Sequence, residues 1–221
     1  QISEWLKYKI TGRVEYDAVF DIERDFYPRE VRRDQRRDFQ WRETYLDVSA
    51  GDLQLRLGRQ HIVWGEVPGL FFADVVSARD LREFVLPEFD SLRIPQWAAR
   101  AEYFAGDSHI ELIWIPWVTV DRIGKPGADF YPFPPPPPPG FGAVFGSEQK
   151  PDRNFGHSNY GLRMSTLKSG WDLSAFAYRS IDAEANFYRQ IVAAPAPHFL
   201  FTPRHDRITQ FGGTLSKDLG D

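Results

Sequence analysis

Leu6 to Ile22 alternates with a period of two over seventeen residues. One parity reads Leu6, Tyr8, Ile10, Gly12, Val14, Tyr16, Ala18, Phe20 and Ile22. The other reads Lys7, Lys9, Thr11, Arg13, Glu15 and Asp17, with only Val19 out of pattern before Asp21. Successive side chains of a strand point to opposite faces, so one face here is apolar and the other charged. Ordinary strands average about 5–6 residues, whereas a strand crossing a bilayer needs roughly 9–11 and has wet ends beyond them. A long strand with one greasy and one charged face suits a sheet that meets lipid on one side and water on the other.

The same period recurs. It predicts strands at about 5–22, 39–50, 53–62, 96–105, 109–120, 157–167, 171–181 and 207–217. The connections Gly51-Asp52, Gly106-Asp107-Ser108 and Lys168-Ser169-Gly170 are tight and carry turn residues. Those at 23–38, 63–95, 121–156 and 182–206 are long. Short and long alternate without exception, the rhythm of an outer-membrane barrel with short periplasmic turns and long outer loops. The faces agree across hairpins: Leu53, Leu55 and Leu57 oppose Gln54 and Arg56, and Ile110, Leu112 and Trp114 oppose His109 and Glu111. On the strand at 171–181, Phe176 and Tyr178 spoil the polar side. A soluble β-sandwich also alternates; strand length and loop rhythm favour the barrel.

Composition narrows the function. With 42% hydrophobic residues and a mean hydropathy of -0.45, the chain looks soluble in bulk, but a membrane barrel needs only alternate residues apolar. No apolar run approaches the 18 residues of a helical span. The net charge of -4, with no basic run, speaks against nucleic acid as a partner. The absence of cysteine removes disulfides, thiol catalysis and thiolate metal sites. The first residue is Gln1, and no signal peptide is visible, so the expectation is a mature chain or a fragment. Aromatic residues make up 15%, and Trp5, Trp41, Trp97, Trp114, Trp117 and Trp171 fall near strand ends, as girdle residues do.

Two loops have features of their own. Residues 134–139 are six consecutive prolines, which predict a stiff polyproline II spacer in the 121–156 outer loop. In the 63–95 loop, Ser77 with Asp80 reads as a helix start, and Leu81, Phe84 and Val85 have helical spacing. A short helix there is expected either to enter and narrow the lumen or to lie on the surface.

Catalytic arrangements are weak. His157 and Ser158 are adjacent, hence on opposite strand faces, whereas outer-membrane phospholipases space the pair two apart. His61, His109, His198 and His205 have no metal-ligand spacing. Glu15 and Asp17 share a face but alternate with Lys and Arg, which reads as an ion-pair ladder and not an acid/base pair. There is no phosphate-cradling or dinucleotide fingerprint. The expectation is therefore no enzyme, no cofactor and no metal.

Residues 55–66, LRLGRQHIVWGE, and 80–103, DLREFVLPEFDSLRIPQWAARAEY, resemble an uncharacterised family of Gram-negative outer-membrane proteins, domain of unknown function 1302. SNYGLRMS at 158–165 resembles its tyrosine-glycine-leucine-arginine strand. Members are longer than this chain, which implies that residues 1–221 are an internal part of a larger barrel. The family carries over no catalytic residues.

The reading from sequence is an all-β, antiparallel transmembrane barrel of about eight strands, in one domain spanning 1–221, in the bacterial outer membrane. It is expected to be a porin-like passive channel or a solute-binding barrel, with the lipid bilayer and a small solute as partners. The alternatives are a non-transporting barrel that presents loops and a soluble sugar-binding sandwich. Candidate lumen residues are Lys7, Lys9, Arg13, Glu15, Asp17, Arg56, Arg100, Glu102 and Arg163. Gly58, Arg59, Gln60, Trp64, Gly65 and Glu66 form a rim motif, either a solute site or a network tying the 63–95 loop down. Arg59 falls on the apolar parity and is tolerable only at the interface or after a bulge.

Overall fold

The computed structural model describes residues 5–65, 74–84, 89–132, 136–193 and 195–217. Eight long strands form one antiparallel sheet, each beside its neighbour in sequence. In chain order the elements are β1 (Leu6–Tyr16), α1 (Val19–Ile22), α2 (Arg29–Gln35), β2 (Arg37–Ala50), β3 (Leu53–Gln60), β4 (Ala78–Arg79), α3 (Phe89–Leu92), β5 (Arg93–Ile94) and β6 (Gln96–Ala105). There follow β7 (Ser108–Trp117), β8 (Gly142–Phe145), β9 (Asn159–Lys168), β10 (Trp171–Ile181), β11 (Asn186–Val192), β12 (His198–Arg204) and β13 (Arg207–Lys217). The large sheet runs β1-β2-β3-β6-β7-β9-β10-β13, and its eight strands are the eight that alternation predicts. It is open, with β1 and β13 at its edges. No described helix is long and apolar enough to cross a membrane.

The two faces have opposite fates. On β1, Ile10 and Val14 are 61% and 76% exposed, while Thr11, Arg13 and Glu15 between them are half-buried. On β7, Leu112 is 52% exposed and its neighbour Glu111 only 1%. Leu55 and Leu173 are exposed as well and Ala99 half-buried; among the described residues no second sheet covers them. The apolar face is bare, and the charged face lies under the chain's own loops over the part nearest them, while Lys7, Lys9 and Asp172 toward the tight turns stay exposed.

Two bulges preserve this segregation. Ile10 and Gly12 pair with Thr44 and Trp41, which leaves one extra residue in β2. Phe39 and Trp41 on one side of the bulge and Leu46 on the other are thereby all exposed, despite opposite parity. Trp97 and Ala99 pair with Trp117 and Trp114, leaving the extra residue in β7 beside Pro116, which has no amide to give a ladder. Trp114 and Trp117 both stay on the bare face.

Three expectations need correction. The first strand ends at Tyr16, not at residue 22, because the Asp17 carboxylate accepts the Val19 amide at 2.9 Å and opens α1. Phe20 is then buried with Val31, Ala128 and Tyr131. No helix starts at Ser77: its hydroxyl donates to Ile62 O, its amide goes to Asp74, and Ala78–Arg79 pair with Arg93–Ile94 as β4 and β5. Val85 lies outside the described residues, and the short helix of this loop, α3, comes later. The long loops at 121–156 and 182–206 are not structureless. They supply β8, β11 and β12, a small sheet in which β12 pairs antiparallel to β11 and parallel to β8. Of the proline run, 136–139 are described; the Phe141 amide donates to Pro138 O at 3.0 Å, closing a turn at its end.

Candidate functional site

The covered face is built from alternate residues of the strands. Lys9, Arg13, Glu15, Arg56, Arg100, Glu102 and Arg163 all share it, as their parity predicts. Register sets Arg56 opposite Arg100 and Glu102 opposite Glu111, two like-charge pairs that repel when left alone. Pairs to other neighbours resolve both. Arg56 bonds Asp47 at 2.6 Å, and Arg100 bonds Glu111 at 2.6 Å and Glu102 at 2.8 Å. His109 Nε2 lies 3.2 Å from Glu102. Lys9 pairs with Glu43, and Arg13 with Glu15. Arg163 stands opposite Glu111 in the ladder. Lys7 is opposite Asp47 and exposed. Asp17 lies past the strand end, where its carboxylate accepts the Val19 amide.

The rim motif divides. Gly58 has φ +130°, and a Cβ there would sit 2.2 Å from Thr44 O, so only glycine lets β2 and β3 approach this closely. Arg59 stays in the ladder, opposite Thr44 and Trp97, with no bulge before it, and is half-buried. Gln60 is buried and donates to Ala98 O at 3.1 Å and Arg56 O at 3.2 Å. Gly65 also has a positive φ, +91°. Glu66 lies outside the described residues.

Trp64 leaves the strand end and folds onto the covered face, where it is 1% exposed. Its indole Nε1 donates to Glu111 Oε2 at 2.9 Å, the carboxylate that Arg100 holds from the other side. Its ring packs on Phe176 and Tyr178 at 5.9 and 5.8 Å between centroids. Beneath it lies Gly161, where a Cβ would come within 2.8 Å of both the indole and Tyr178. Ile62, Val76, Ala98, Ile113 and Ile115 complete this small core on the covered side.

The loop after Trp64 is tied down over the same face. The Val75 amide donates to Trp64 O, and Asp74 Oδ1 accepts the amides of Val76 (3.1 Å) and Ser77 (3.3 Å). Farther along, Arg82 bonds Asp80 at 2.7 Å and reaches Asp38 on β2. Arg122 bonds Asp38 at 2.7 Å and Asp80 at 3.1 Å. Burial lowers the pKa of Arg82, but Asp80 and Asp38 outweigh it and leave the pKa above the ordinary guanidinium value. Arg13 Nη1 donates to Ser91 O at 3.1 Å and so joins β1 to this loop.

Space remains between loop and sheet. A cavity of about 350 Å³ is lined by Arg13, Glu15, Asp17, Asp38, Asp80 and Arg82. Another of about 500 Å³ is lined by Thr11, Arg13, Arg42, Glu43, His61 and Arg93. Arg13 and Ser91 belong to both. Sequence reasoning named Arg13, Glu15 and Asp17 in these walls. It missed Asp38, whose partners Arg82 and Arg122 lie far away in the chain, and Arg42. Among the described residues no cluster has the makings of a metal site.

The family described as "Protein of unknown function (DUF1302)" matches residues 5–183, and the chain belongs to it. No curated protein and no solved structure matches the chain.

Proposed function

We propose, from membership of this family and from the geometry of the sheet, that the chain forms the wall of an outer-membrane β-barrel. Its charged face lines a lumen that passes or binds a small solute, without covalent catalysis. One observation carries the reading: the apolar face is bare and the charged face is covered. A contiguous apolar surface larger than a few hundred Å² is rare on a soluble monomer, and lipid is the cover that suits a face of this length.

The bare face is zoned as a bilayer requires. Ile10, Leu46, Leu55, Leu57, Leu112 and Met164 form an aliphatic band. Tyr16, Phe39, Trp41, Trp114 and Tyr160 border it toward the long loops, and Tyr103 and Trp171 toward the tight turns. From Leu6 to Tyr16 is about 34 Å along the strand, or roughly 26 Å after a tilt near 40°, against an apolar band of about 25 Å in known barrels.

In lipid both sheet edges need partners. An eight-stranded barrel is filled by its own side chains, whereas this covered face already holds Trp64 and residues 74–84. The proposed barrel therefore has more than eight strands. Occlusion by that loop gives weight to a second reading, a plugged barrel that binds or presents without free conductance. The test is reconstitution of the full-length protein in planar bilayers. Conductance or solute flux supports the channel, insertion without either supports the plugged barrel, and a monodisperse protein that needs no detergent refutes both.

A further inference from the structure

The strands of the large sheet divide their charges by sign. Every acidic residue in them belongs to the covered face, from Glu15 on β1 to Asp172 on β10. The charged residues on the bare face are all basic, and they stand at its two rims. Toward the long loops, register sets Arg37 opposite Tyr16, Arg59 opposite Trp97 and Arg179 opposite Tyr160. Arg207, at the same rim, donates to Gly156 O at 2.7 Å. Toward the tight turns, Lys168 and Lys217 both stand opposite Trp171. The aliphatic band between the rims carries no charge.

On the covered face Arg56, Arg82, Arg100 and Arg122 each bond a carboxylate. Among the described residues, Arg37, Arg59 and Arg179 bond none. Arg37 lies over the Tyr16 ring at 5.7 Å. Asp21, which accepts the Tyr16 hydroxyl, is taken by Arg36 at 3.0 Å. Arg179 donates to Thr209 Oγ1 at 3.0 Å, a neutral acceptor. The Arg59 Nε–H is buried without an acceptor among the described residues. A cation is costly at the middle of a lipid-facing strand and tolerated near the interface, where Trp and Tyr also sit at headgroup level. The anion found at that level is the headgroup phosphate. A guanidinium fork meets two phosphate oxygens at once, whereas an ammonium is a point charge. This singles out the arginine rim over the lysine rim.

We propose that the long-loop rim of the bare face binds the phosphates of anionic lipid headgroups through Arg37, Arg59 and Arg179. The inference rests on the proposed membrane wall and adds the chemistry of the lipid it selects. The test is native mass spectrometry of the full-length protein released from vesicles of equal phosphatidylglycerol and phosphatidylcholine with matched chains. One arginine near an anionic lipid surface is worth about fivefold in affinity. We expect phosphatidylglycerol to be retained over phosphatidylcholine by at least that factor. The preference should fall with each of Arg37→Gln, Arg59→Gln and Arg179→Gln and vanish when all are combined. Arg189→Gln, on β11 outside the large sheet, removes the same charge and leaves it unchanged. The single variants decide where the combined one does not insert. Insertion, read as protection from added protease, separates the two ideas. Insertion without lipid preference, or a preference indifferent to the arginine substitutions, overturns this inference alone. So does a preference that excess inorganic phosphate abolishes, which would mark a site for free anions. A protein that enters no vesicle of either lipid overturns the barrel and this inference with it.

Discussion

Alanine at Gly161 tests whether the Trp64 seat holds the loop to the sheet. The added Cβ would stand 2.8 Å from two indole carbons of Trp64 and from one ring carbon of Tyr178. Both side chains are 1% exposed, so neither has solvent to retreat into. Overpacking of this kind costs about 1–3 kcal/mol. The easiest relief is to lift Trp64, which gives up its bond to Glu111, a charge-assisted bond of about 1.5–3 kcal/mol. These are alternative routes and do not add. Local opening of the seat should become easier by about 2–3 kcal/mol, roughly 30- to 150-fold in the opening equilibrium. Amide hydrogen exchange at Val75, Val76 and Ser77 reads this directly, because their donors depend on Trp64 O and Asp74. Ladder amides between β3 and β6 should not change. In a Trp64→Ala background the indole contacts are gone, and Gly161→Ala should cost only what the Tyr178 contact leaves. Strict additivity in that double-mutant cycle, or unchanged exchange at 75–77, would refute the packing argument.

Other outcomes follow from the same contacts. Leu112→Arg places a charge in the aliphatic band and should cost about 2–4 kcal/mol of folding into vesicles, measured by denaturant titration; a neutral result removes the lipid face. The Asp121 carboxyl, pushed up to about 6 by burial despite the Arg79 amide, binds more protons folded than unfolded, so its stability is present below pH 4 and lost as pH rises through 6. Asp121→Asn should therefore raise stability at pH 7 by up to about 3 kcal/mol and flatten the profile between pH 4 and 6; an unchanged slope in pH-dependent unfolding counts against it. His205 is held between two acceptors, Asp182 O at 2.9 Å and Glu148 Oε1 at 3.1 Å, which only an imidazolium satisfies. Burial lowers its pKa, but those partners outweigh it and raise it above 6.5, so this clasp is intact below 6.5 and loosens as pH climbs through the raised value. Proteolysis near 146–150 should accelerate at alkaline pH, and the same rate at pH 6 and 9 would disprove it.

Much of the fold was legible because a sheet with one apolar and one charged face writes period two into every strand. All eight strands of the large sheet, their order and their faces come from alternation and tight turns. The failures are local and physical. Phe20 and Ile22 continue the parity of β1, yet the chain turns at Asp17, whose carboxylate takes the Val19 amide, and Phe20 serves a different cluster. Ser77 and Asp80 have capping-box spacing, but Asp74 and Ile62 take Ser77 and the ion pairs take Asp80. The exceptions were more informative than the rule. Phe176 and Tyr178 break the polar side of β10 because they are the seat of Trp64. Two of the three stretches that carry the family resemblance, one with Trp64 and one with Gly161, meet face to face there. That contact spans ninety-seven residues and leaves no periodic trace.

The strongest argument for an inverted environment sits within three consecutive residues of β7. Ile110 is half-buried, Glu111 is 1% exposed and Leu112 is 52% exposed. A soluble sheet would turn the leucine to its core and the carboxylate to water, since an ion taken out of water needs full compensation. Here the compensation exists: Arg100 and Trp64 both bond Glu111. The chain thus invests its specific side-chain contacts in the charged face and none among the described residues in covering Leu112. Arg100 also bonds Glu102, so the ladder behind Glu111 extends to β6 and, through the Arg56–Asp47 pair, to β2. A face built this way holds its charges in pairs, and its opposite leaves Leu112 bare.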